Sequence, residues 1–90
     1  MNVDKILNFS YDRDTFVWTE SELFNFLCEY YGTNDILIYL KNGDEIIVKK
    51  YNVVGSRLND DYFLIYDSNG DTKDVIKVDY EDVEKLEVLF

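Results

Sequence analysis

The sequence predicts an α+β fold that is mainly β: an N-terminal helix followed by a five-stranded, strongly bent antiparallel sheet or a small barrel. Three observations predict it. Apolar residues repeat at helical spacing between positions 20 and 31, and after Gly32 the period shortens from 3.6 to 2. Turn signals then recur every 10 to 12 residues, the spacing of a small antiparallel barrel or sandwich.

The helix has a start, a stripe and a stop. Thr19 is a candidate N-cap, and Glu22 three residues on would complete a capping box. Glu20 and Glu22 fall in the first turn, where the helix dipole favours negative charge. Leu23, Phe26, Leu27, Tyr30 and Tyr31 form the apolar stripe, and Gly32 supplies a left-handed stop. The residues ahead of it carry weaker signals. Val3, Ile6 and Leu7 fit a short helix, and Phe16-Val17-Trp18 fits a strand or an apolar strap.

Five strands follow. Ile36 to Leu40 is the first, and Asn42-Gly43 is a strong hairpin signal that implies a type I′ turn. Glu45 to Val54 is a longer second strand, with a bend or bulge where Lys49-Lys50 breaks the alternation. A loop from Gly55 to Asp61 leads to a third strand, Tyr62 to Tyr66, apolar on both faces. Ser68-Asn69-Gly70-Asp71 is a turn, Asp74 to Val78 a fourth strand, and Tyr80-Glu81-Asp82 a single tight turn. Val83 to Phe90 is the last strand, with Leu86, Val88 and Phe90 on one face. Ninety residues without a proline or a linker make one domain over 1–90: a segment 1–18, the helix within 19–32, and the sheet over 35–90.

Composition excludes several kinds of function. There is no histidine, hence no His-centred triad, imidazole metal site or neutral-pH switch. The single cysteine, Cys28, rules out an internal disulfide or a Cys-based zinc site, and its helical context predicts a small buried hydrophobe. No apolar run reaches a membrane-spanning length and no leader pattern opens the chain, which makes the cytoplasm the expected compartment. Asp67 to Asp71 has the opening spacing of a calcium loop, but its sixth and twelfth positions, Thr72 and Val78, lack the required Gly and Glu. No cofactor is expected. The serines have no histidine partner, no phosphate-cradling glycine loop is present, and a chain this small leaves little room for a carboxylate pair in an apolar pocket; the reading is non-enzymatic.

Nineteen acids oppose nine bases, a net charge of -10. By size scaling this is about one uncompensated negative charge per 550 Å² of surface. The charge is uneven: -5 over residues 1–35, +2 over 36–59 and -7 over 60–90. Such acidity opposes direct binding to nucleic-acid phosphate or anionic lipid. Lys41, Lys49, Lys50 and Arg57 could form a small basic patch beside Tyr39, Tyr51 and Tyr62, which makes RNA binding a weaker alternative.

The run from Ile36 through Leu40 to Lys41-Asn42-Gly43, the bent second strand, a third strand ending at Asp67 and a tight turn before the last strand resemble the Sm-like or SH3-like small barrel. The preceding helix is similar to the Sm arrangement, and the likeness covers residues 19–90. It implies a closed β-barrel and, in the Sm family, RNA contacts. The stretches Asn59-Asp60-Asp61-Tyr62 and Ile76-Lys77-Val78-Asp79 carry neither of that family's RNA-contacting motifs, so RNA binding does not follow from the fold. An oligomerisation or adaptor barrel, pairing open strand edges with a peptide or with copies of itself, is the alternative it leaves.

The acids define the sharpest site. Asp79, Glu81, Asp82, Glu84 and Glu87 lie within nine residues, and the loop carrying Asp60 and Asp61 could fold near them. Such crowding is ordinarily a solvated face, yet it carries a repulsive cost that a cationic partner would relieve. A rigid row of carboxylates imitates a nucleic-acid backbone. Tyr62 and Tyr80 are the candidate aromatic anchors that charge alone does not provide. Small size, acidity and a composition rich in Asn, Asp, Ile, Tyr and Lys resemble small phage-encoded anti-defence inhibitors of the anti-CRISPR or anti-restriction type. That resemblance implies a basic nucleic-acid-binding protein, such as a defence nuclease effector, as the partner.

Overall fold

In a computed structural model, residues 5–67 and 75–90 are described. They form one helix, α1 (Glu22–Tyr30), and seven strands: β1 (Ile6–Asn8), β2 (Asp35–Leu40), β3 (Glu45–Val48), β4 (Val53–Gly55), β5 (Tyr62–Tyr66), β6 (Ile76–Asp79) and β7 (Val83–Leu89). All pairings are antiparallel, in a four-stranded sheet ordered β1-β7-β2-β3 and a three-stranded sheet ordered β4-β5-β6. The α+β, mainly β class therefore holds. The five strands expected from the sequence are seven, and they do not close into a barrel.

Two physical facts account for the extra strands. Ile6 and Leu7 do not form a helix: β1 pairs with β7, Ile6 opposite Glu87 and Leu7 opposite Leu86. Three residues cannot be stable as a strand alone, so β1 exists because β7 is already ordered beside it. The second strand expected over Glu45 to Val54 is cut in two. At Lys49–Asn52 the chain turns, with Asn52 N–H donating to the Lys49 carbonyl (2.8 Å) and Lys49 N–H donating to Asn52 Oδ1 (2.7 Å). The Asn52 side chain also donates to the Tyr66 carbonyl (3.1 Å), which fixes the entry of β4 against β5. The break in alternation at Lys49-Lys50 is thus a crossover between sheets.

The β2–β3 hairpin closes differently from the expected type I′ turn. Gly43 alone takes a positive φ (+95°), and Asn42 does not. Gly43 N–H donates to the Leu40 carbonyl (3.0 Å) and Leu40 N–H to the Asp44 carbonyl (2.8 Å), a three-residue loop ending in a left-handed glycine. Asn42 Oδ1 accepts from Asp44 N–H (2.9 Å), a local bond that an Asx residue offers in an ordinary turn.

The helix begins at Ser21, whose hydroxyl accepts from Phe24 N–H (3.1 Å). Thr19 lies in a short 3-10 turn, Trp18–Glu20, and caps nothing. That turn exists because Trp18 is buried, and Ser21 Oγ also donates to the Trp18 carbonyl (2.7 Å). Leu23 and Leu27 face the core, Phe26 and Tyr30 pack at its edge, and Tyr31 is exposed beyond the last turn. Gly32 has the left-handed φ (+80°) expected of the stop.

One cluster of buried residues lies between the sheets and under α1. Ile36 and Ile38 of β2, Phe63 and Ile65 of β5, Val78 of β6 and Leu86 of β7 are its inward rows, and Val88 of β7 is buried opposite Ile36 in register. Each such side chain contributes about 1.5–3 kcal/mol when fully removed from water. Phe90 departs from the face expected of it: Val88 is the last inward residue, and Phe90 is exposed, reaching only the edge of Tyr30 (6.4 Å between rings). Cys28 is likewise exposed rather than buried, because its position on α1 points into an open groove beside the core. Asp74 and the Ser68–Asp71 turn, with the calcium-loop reading placed there, lie outside the described residues.

Candidate functional site

The chain crosses between the sheets a second time at a 3-10 turn, Tyr80–Asp82, between β6 and β7. Tyr80 is fully buried there. Its ring meets Phe16 (4.4 Å between centroids), Tyr11 (5.5 Å, stacked), Phe63 (5.5 Å) and Trp18 (5.7 Å). Its hydroxyl donates to Ser56 Oγ, and Ser56 Oγ donates in turn to the Tyr62 carbonyl (3.0 Å). Burial pushes the Tyr80 hydroxyl up to about 12, against the Ser56 hydrogen bond, which lowers it. The expectation that Tyr80 is a surface anchor is therefore corrected. An aromatic ring in a strand-to-strand turn fills the gap where two sheets part, and no partner can reach it.

Burial of this turn gathers part of the acidic set. Tyr80 N–H donates to the Asp61 carbonyl (3.0 Å), which ties the 56–61 loop to the end of β6. Asp61, Asp79 and Glu81 then line one concave surface together with Tyr11 and Arg13, and Asp60 borders the adjoining hollow with Leu58 and Phe16. The segment 9–18 supplies the far wall. Phe9 N–H donates to the Glu84 carbonyl (3.1 Å), and Phe9 and Phe16 stack edge to face (6.2 Å). Asp12, next along this segment, lines a separate hollow with Phe9, Thr15 and Glu20, its Oδ1 accepting from Asp14 N–H (3.0 Å). Burial raises the Tyr11 hydroxyl, and Asp61, Glu81 and Asp12 push the same way, with Arg13 opposing them. Among the described residues none of Asp60, Asp61, Asp79 and Glu81 is in an ion pair; the ion pair between described residues is Lys49–Asp35 (3.5 Å), on the opposite crossover.

The rest of the set disperses. Asp82 is exposed, and its carbonyl accepts from Lys41 N–H (2.8 Å) near the β2–β3 loop. Glu84 sits at a bulge: Leu40 pairs with Val83 and Tyr39 with Lys85, so Glu84 is the additional residue between them. Glu87 lies on the outer face of the four-stranded sheet, where Tyr39 Oη donates to its Oε1 (2.9 Å) and Lys85 stands over the Tyr39 ring (4.7 Å). The Glu87 hydrogen bond is the main reason the Tyr39 hydroxyl is raised. Tyr62 is half-buried on the outer face of β5, opposite Asp79 in register, with Lys77 over its ring (4.4 Å). The acids thus form a corner of Asp60, Asp61, Asp79 and Glu81 with Tyr62 beside it, while Glu84 and Glu87 lie on β7 in the other sheet and Asp82, at the end of the turn, lines neither hollow.

Tyr11 and Arg13 belong to this corner and were missed by sequence reasoning. Their only signal was the density of aromatics at 9, 11, 16 and 18 in a segment without periodicity. Among the described residues no group of acidic or sulfur side chains has the arrangement of a metal site, and no helix is long and apolar enough to cross a membrane. Compared with family models, curated proteins and solved structures, the chain matches none.

Proposed function

We propose that this chain is a non-enzymatic acidic binding protein that occupies the basic nucleic-acid-binding surface of another protein, a phage-defence nuclease effector being the sharpest case, and that it works in the cytoplasm. One observation carries the reading. Four carboxylates from two separate segments, Asp60, Asp61, Asp79 and Glu81, share one corner without an ion pair among the described residues, and among those residues Arg13 is the one cation that lines their hollows. Their scaffold is a packed turn, so the array is held in place before binding and little ordering entropy is lost on association. Tyr62, beside Asp79, supplies apolar contact area at the rim. Complementary charge of this kind speeds encounter and makes it salt-sensitive.

The test uses the intact chain as bait against a lysate of its natural host. The expected result is retention of a nucleic-acid-handling protein that added duplex DNA displaces and that 0.5 M salt releases. Retention unaffected by both duplex and salt overturns the proposal.

A second reading is favoured by the open sheets. β1 and β3 flank one sheet and β4 and β6 the other, each paired on one side only among the described strands. Such edges suit an oligomerisation or adaptor role through strand addition. In that case association is insensitive to salt, and light scattering detects a dimer or larger ring.

A further inference from the structure

The groove left open at the Lys49–Asn52 crossover is lined almost wholly by apolar surface, and the structure assigns it as a binding site for a short apolar monocarboxylate. Its floor is Trp18, Ile36 and Val48, and its walls are Phe24 and Leu27 of α1 on one side and Val54 of β4 on the other. The exposed surface of this lining is overwhelmingly carbon. The charged side chains that line it are Lys49 and Lys50, both exposed. In a chain with a net charge of -10, two adjacent lysines on the rim of an apolar slot are an exception to the field around them.

The charge at the rim is not cancelled. Asp35 pairs with Lys49 (3.5 Å) and accepts from the Lys50 backbone N–H (2.9 Å), and this backbone bond chiefly holds its carboxyl below the ordinary carboxylate range. One carboxylate thus faces two ammonium groups, and the Lys50 ammonium has no ion pair among the described residues. An apolar tail in the slot with a carboxylate toward Lys50 satisfies both features at once. An apolar cation or a polyanion satisfies only one of them: the first meets like charge at the rim, the second has nothing to place among Trp18, Phe24 and Leu27. The groove offers about 60 Å³ to the centres of water-sized atoms. At about 10–15 Å³ of such space per water this holds roughly four to six waters, so the tail is short, on the order of five carbons.

Cys28 lines the same groove and is the sole thiol of the chain, which makes it a reporter. Its alkylation by iodoacetamide is followed at fixed pH in the intact protein with hexanoate, with hexanol (tail without charge) and with acetate (charge without tail). The proposal expects hexanoate to slow alkylation about fivefold or more at saturation, and hexanol and acetate less than twofold at the same concentration. Lys50→Glu, checked for an unchanged circular dichroism spectrum, is expected to raise the hexanoate concentration for half-protection about fivefold, the upper range for an exposed ion pair. Equal protection by hexanol, no protection by hexanoate, or a half-protection concentration unmoved by Lys50→Glu overturns it. Should the variant not fold, the comparison of the three probes on the parent chain still decides.

Discussion

The two crossovers between the sheets solve one geometric problem in opposite ways. At Tyr80–Asp82 the gap between β6 and β7 is filled by a buried tyrosine with four aromatic neighbours, and the surface above it is acidic. At Lys49–Asn52 the gap between β3 and β4 is spanned by backbone and an asparagine side chain, and the surface beside it is a lysine-rimmed groove. The difference teaches that a crossover can be held either by packing or by hydrogen bonds. Packing leaves a rigid platform on which surface charge can be displayed. Hydrogen bonds leave unfilled space that a ligand can use.

The first way to break this comparison is to empty the packed crossover. Tyr80→Ala removes a fully buried ring and is expected to cost about 3–5 kcal/mol, a loss seen as a large fall in the urea midpoint. Such a loss approaches the whole stability of a small domain. Tyr80→Phe keeps the ring and loses only the bond to Ser56, for about 1 kcal/mol.

The next effect is on pH. The folded Tyr80 hydroxyl titrates near 12, above its value of 10.0 in an unfolded chain. Its contribution is fully present below pH 10 and is lost as pH rises toward 12, which destabilises the fold by on the order of 2–3 kcal/mol across that window. Burial raises Tyr11 in the same direction. Equilibrium unfolding between pH 9 and 12 is expected to show this loss for the parent chain and a smaller one for Tyr80→Phe.

The hydrogen-bonded crossover is expected to respond less. Asn52→Ala leaves the Lys49 N–H and the Tyr66 carbonyl without their partner, for about 1–2 kcal/mol. A loss above that of Tyr80→Ala would reverse the ranking of the two crossovers. The smallest change is at the helix start, where Ser21→Ala is expected to cost about 1 kcal/mol and Thr19→Ala close to nothing, both read from thermal unfolding.

The elements legible in the sequence are those whose pattern is local. β2 and β5 were read nearly to the residue because each is a short unbroken apolar run bounded by turn or loop residues, although which of their positions face the core appears only in the alternating burial of the fold. The Tyr80–Asp82 turn was also legible, but its buried ring was not, since a tyrosine in a turn looks the same whether it faces solvent or the gap between two sheets. β1 was illegible because it owes its existence to β7, eighty residues away. Lys49-Lys50 broke the pattern, and a pattern break does not distinguish a bulge within one strand from a passage to another sheet. Thr19 and Ser21 are both capable caps, and the choice between them was made by Trp18, whose burial draws the preceding turn tight. Of the acidic set, Asp60, Asp61, Asp79 and Glu81 came together because the Tyr80 backbone ties the loop to the strand end. Glu87 was drawn away by Tyr39, a cross-strand pairing that no spacing within 79–87 could reveal.

Charge reversal at the corner is the most direct measurement. A variant with Asp61→Lys, Asp79→Lys and Glu81→Lys alters the acidic crossover alone, and its unfolding midpoint shows whether the packed turn beneath survives. The expected result is a folded protein that no longer retains the duplex-displaceable partner, while Asp82→Lys with Glu87→Lys, on the dispersed side, retains it. Equal retention by the corner variant and the parent would contradict the proposed role of that corner.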